Sequence, residues 1–110
     1  MNKQENALRT VYNFLECMMS NNSQVSKKNK FENGHYTVKE FSNFIQKEIN
    51  HAKSDDLIIS GDYTKEQIGC LYHLSKIEAM LVFLDKNSDL YKYYLIQMHN
   101  ESMKGMSIID

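Results

Sequence analysis

Glu48 and His51 stand three residues apart in a stretch of helical spacing, so both side chains project from one face. In di-iron bundles this E-x-x-H spacing delivers two ligands to one metal. A complete centre also needs a second helical pair and two further inward glutamates. The chain carries such a pair on only one predicted helix. Glu78, between Leu71 and Leu74 on the helical wheel, is the best additional carboxylate. A homodimer would double the set. Glu48, His51 and Glu78 are therefore the metal candidates. The plainer reading is a surface histidine beside a boundary glutamate, with Glu78 paired to a lysine or a tyrosine hydroxyl.

Cys70 and His73 place a thiol and an imidazole at i and i+3. Zinc would need two more ligands, and only Cys17, His35 or His99 could be enlisted. A buried free thiol explains Cys70 more simply. Neither cysteine has a neighbouring base in polar surroundings, as nucleophilic catalysis requires. The four glycines, Gly34, Gly61, Gly69 and Gly105, are scattered, so no loop is built to cradle phosphate. No cofactor is expected.

A different chemistry is suggested by Lys27, Lys28 and Lys30, followed by Phe31, His35 and Tyr36. Basic side chains interleaved with aromatics can follow a nucleic-acid backbone and stack on bases. With Lys39 they form the phosphate-contacting set of a small nucleic-acid-associated regulator, the alternative function. Against it, Arg9 is the only arginine, and the fork geometry that reads guanine or phosphate is arginine's. The formal net charge of −1 provides no long-range attraction for nucleic acid or an anionic membrane.

Helices must position these residues. Apolar positions repeat at helical spacing over about 4–19, 37–52, 64–84 and 88–103. Thr37 to Glu40 and Thr64 to Gln67 both read as capping boxes at helix starts. Asn87 or Ser88 can cap the fourth helix, and Gly105 reads as its stop. The segments 20–34 and 53–62 read as loops, the first unusually long for a compact domain. The third helix carries Ile68, Cys70, Leu71, Tyr72, Leu74, Ile77, Ala79, Leu81, Val82, Phe83 and Leu84 in nearly every direction. Such a helix is expected to be largely buried, either at the centre of the bundle or against a second copy.

At 110 residues the chain fits one domain spanning 1–110, and its 42% hydrophobic and 25% charged content is that of a globular protein. The fold expected is all-α, a compact bundle of about four helices. In size and helix count it is similar to bundle proteins such as bacteriocin immunity proteins and phage-encoded inhibitors, an analogy of architecture only. Two cysteines, no apolar run of signal-peptide type after Met1 and no long apolar stretch point to a cytoplasmic setting. The absence of proline and tryptophan, with much Lys, Asn, Ile, Tyr and Phe, fits AT-rich codons and a phage or mobile element of a low-GC bacterium. On the fourth helix Tyr93, Ile96 and Met103 lie off the core face, as interface anchors do. The function expected is a non-catalytic protein-binding role: inhibitor, antagonist or adaptor. Tyr93, Ile96, Met103, Lys27, Lys28, Lys30 and Tyr36 are its partner-binding residues, and a homodimer is expected.

Overall fold

The computed structural model describes residues 2–20, 38–53 and 63–109. Among the described residues there are four α-helices: α1 (Lys3–Ser20), α2 (Val38–Lys53), α3 (Lys65–Lys86) and α4 (Tyr91–Ile109), the last preceded by a 3-10 turn over Ser88–Leu90. No strand occurs among the described residues. Each helix packs on its neighbours in chain order, α4 closes back on α1, and α1 meets α3 across the diagonal. The contacts run antiparallel around the ring. The start of α1 touches the end of α2 through Gln4 and Ala52. His73 of α3 meets Glu101 of α4, while Gly69 lies under Ile108. This is an up-down four-helix bundle.

The core follows from the stripes of each helix. Leu8, Val11 and Leu15 of α1 and Phe41, Ile45 and Ile49 of α2 are closed to solvent. They meet Cys70, Leu74, Ile77, Leu81 and Leu84 of α3 and Leu95 and Met98 of α4. One end is aromatic: the Phe14 ring centroid lies 5.3 Å from that of Phe41 and 4.3 Å from that of Phe44, and Tyr91 meets Phe41 edge-on at 5.2 Å.

The other end is polar and buried. Gln4 donates from Nε2 to the Ala52 carbonyl at 2.8 Å and accepts from Gln67 Nε2 at 2.9 Å. Gln67 Oε1 in turn accepts from the Thr64 amide at 2.8 Å, and the Thr64 hydroxyl accepts from the Gln67 amide at 3.1 Å. The expected capping box at Thr64 is therefore present, and its glutamine also reaches α1. The expected box at Thr37 lies outside the described residues. Asn87 does not start α4; its amide donates to Phe83 and Leu84 carbonyls and closes the end of α3.

Two expectations need correction. Gly105 does not stop α4, which continues to Ile109. A Cβ built on Gly105 would stand 2.6 Å from Leu8 Cδ2, so this glycine lets α4 approach α1 closely. Nor is α3 shielded on most sides within one chain. It occupies a corner of the four-helix ring, where neighbours cover only the inner arc. Ile68, Tyr72, Val82 and Phe83 are each more than half exposed.

Candidate functional site

The proposed metal residues are placed as follows. Glu48 is half-buried and His51 exposed on α2. Glu78, on the α2-facing flank of α3, accepts from Lys53 Nζ and from Gln46 Nε2, both at 2.6 Å. Among the described residues no group of three His, Cys, Asp or Glu side chains could hold a metal ion. Burial pushes the Glu78 carboxyl upward, but the hydrogen bonds from Lys53 and Gln46 and the Lys53 charge outweigh it and hold the group below its usual 4.5. A lowered carboxylate pKa stabilises the fold above the ordinary value and loses that contribution as pH falls through the lowered one. Glu78→Gln is expected to cost about 0.5 kcal/mol at neutral pH, the scale of a partly exposed pair. Urea titrations of the two proteins should converge once the pH is well below 4.5. A difference that persists in acid would mean that the ion pair is not its source.

Cys70 is closed to solvent, and burial, followed by the charges of Glu5 and Glu66, pushes its thiol up to about 11. It is held as a thiol, the form that is neither nucleophile nor metal ligand. Its sequence neighbour in the C-x-x-H spacing, His73, turns instead to α4. His73 Nδ1 lies 2.5 Å from Glu101 Oε2, with side chains 12% and 7% exposed. A second histidine–carboxylate pair joins His99 of α4 to Glu16 of α1, with Tyr12 stacked on the imidazole at 5.8 Å. So α4 is fastened to both neighbours by charge-assisted contacts. Neither pair was read from the sequence, because their partners lie 28 and 83 residues apart. The available signal was Glu101 itself, a carboxylate in the stripe of Tyr94, Met98 and Gly105.

An open groove of about 460 Å³ runs beside the His73–Glu101 pair, lined by Met80 of α3 and by Gln97, Glu101, Met103 and Lys104 of α4. Nearby, Lys76 Nζ lies 4.7 Å over the Tyr72 ring. The Lys76 ammonium is raised above 10.5, chiefly by its hydrogen bond to Tyr72 and then by the Glu101 charge.

The surface is uneven in its apolar content. Of the ten large hydrophobic side chains exposed among the described residues, only Phe44 lies outside α3, the 3-10 turn and α4. Tyr93 is 56% exposed, Ile96 44% and Met103 43%. At 100° per residue these three fall within about 80° of one another on α4. Lys27, Lys28, Lys30 and Tyr36 lie outside the described residues, so only the α4 part of the expected partner surface is placed. Compared with known protein families, with curated proteins and with solved structures, the chain matches none. No described helix is long and apolar enough to cross a membrane.

Proposed function

We propose that this chain is a small non-catalytic protein-binding protein, an inhibitor, antagonist or adaptor, that grips its partner with the outer face of α4. The observation that supports this most is the exposure of Tyr93, Ile96 and Met103 together on one arc. Large, adaptable side chains of these types are the usual anchors of an interface, because each desolvates much apolar area. The helix beneath is tied to α3 and α1 by the two histidine–carboxylate pairs, which limits the ordering that accompanies binding. Residue usage supports a phage or mobile element of a low-GC bacterium as the source, with the cytoplasm as the place of action.

The test is capture of a stoichiometric partner from such a host, followed by Tyr93→Ala and Ile96→Glu. Both positions are exposed, so the variants should keep their helical content. Each is expected to weaken binding by at least tenfold, about 1.4 kcal/mol. Unchanged affinity in both variants would remove the α4 face from the reading. Salt-sensitive retardation of DNA or RNA in a mobility-shift assay would favour the nucleic-acid alternative instead.

A further inference from the structure

The outer arc of α3 is distinct from the α4 anchors. Between Lys65 and Lys86 it carries Ile68, Tyr72, Ser75, Ala79, Val82 and Phe83, all exposed and uncharged, with exposed Lys76 along one flank over the Tyr72 ring. From Ile68 to Val82 the steps alternate four and three residues, the spacing of a seam between two helices. Its ends are bulky and its middle is small. We propose that this seam takes a second copy of the chain, α3 against α3, antiparallel about a two-fold axis near the middle of the helix.

Charge selects both the occupant and the direction. With Ser75 set against the copy's Ala79, Tyr72 faces Val82. Lys65 then comes to the end bearing Asp85 and Asp89, and Glu66 to the end bearing Lys86. All five of these charged residues are exposed. A parallel pair would set Lys65 and Lys86 each against itself. The antiparallel pair also opposes the two helix dipoles favourably. Such a contact is self-complementary, as a two-fold interface must be.

Four side chains supply most of the apolar contact area. Ile68, Tyr72, Val82 and Phe83 are 55%, 54%, 53% and 57% exposed. Together they present roughly 400 Å² per copy, so two copies contribute about 800 Å² and the exposed flanking residues supply the remainder of a specific interface. Such a patch is at the size where a monomer's surface begins to need an explanation.

The experiment is sedimentation equilibrium of the full chain from micromolar to near-millimolar concentration. The average mass is expected to rise from 12.9 kDa toward twice that value. The double variant Tyr72→Glu/Val82→Glu should stay at the single-chain mass with unchanged helical circular dichroism, since both side chains face solvent in one chain. A wild type that stays at the single-chain mass overturns the proposal, and so does a double variant that self-associates like wild type. In a Cys17→Ser background, the double variant Ser75→Cys/Ala79→Cys should oxidise to a covalent dimer, because residue 75 of one copy faces residue 79 of the other. Ile68→Cys should not, because antiparallel pairing sets the two copies of residue 68 roughly 25 Å apart along the axis. A covalent Ile68→Cys dimer would overturn the orientation. Since none of these substitutions touches Tyr93, Ile96 or Met103, loss of self-association and loss of partner binding are separable results.

Discussion

Replacing His73 with leucine is expected to lower the stability of the fold by about 3 kcal/mol, the upper end for a buried group left without its hydrogen-bonded partner. Leucine matches the imidazole well enough in bulk that packing is not the main change. The loss comes from Glu101, which is 5% exposed and would lose its hydrogen-bonded contact with His73 Nδ1. Leaving a buried polar group without its hydrogen-bonded counterpart is among the few single changes that reach this size. The informative control is His73→Leu/Glu101→Leu. Removing both partners leaves no orphaned group, and stability should return to within about 1 kcal/mol of wild type. Urea unfolding of the four proteins in the cycle gives the coupling directly. If His73→Leu alone unfolds within about 0.5 kcal/mol of wild type, an ordinary surface effect, the pair does not fasten α4 to α3.

A comparable loss, about 3 kcal/mol, is expected for Gly105→Val, from overpacking at a helix crossing. The first carbon added would stand 2.6 Å and 3.1 Å from the two methyls of Leu8 and 3.3 Å from His73 Cβ. Leu8 is fully enclosed, so its methyls have no solvent to move into. Gly105→Ala tests the balance more finely. Alanine gains about 1 kcal/mol in helix propensity, and that gain should be cancelled by the contact with Leu8. Pairing Gly105→Val with Leu8→Ala should cost clearly less than the two changes summed, because the smaller residue vacates the space the larger one needs. Strict additivity in thermal melts would show that the two helices do not meet at this point.

What the sequence revealed and what it concealed divide by distance along the chain. The box at Thr64 was legible because cap and partner are three residues apart, and helix geometry alone brings them together. The core stripes of α1 and α2 were legible for the same reason. Gly105 was misread because glycine near a helix end ordinarily stops it, whereas here its role is set by Leu8 on another helix. The apolar pattern of α3 showed apolar residues on two faces, but periodicity does not say which of them one chain covers. The structure divides them: Cys70, Leu74 and Ile77 inward, Ile68, Tyr72 and Val82 outward. Of the residues proposed to bind a partner, Tyr93, Ile96 and Met103 were visible as apolar positions off the core arc, a property of a single helix. The histidine–carboxylate pairs were not, since each joins separate helices.

The chain of glutamines at the polar end has a consequence for how the helices are indexed along their axes. Leucine and isoleucine layers make contacts that are much alike from one turn to the next, so a core of them alone tolerates axial slippage. Gln4 has one donor aimed at the Ala52 carbonyl and one acceptor met by Gln67. Sliding α1 by a single turn, about 5.4 Å, would strand the Ala52 carbonyl and both amides in a region closed to water. The amide pair thus works as a locating pin: apolar contact draws the helices together, and two side chains decide at what height they stop.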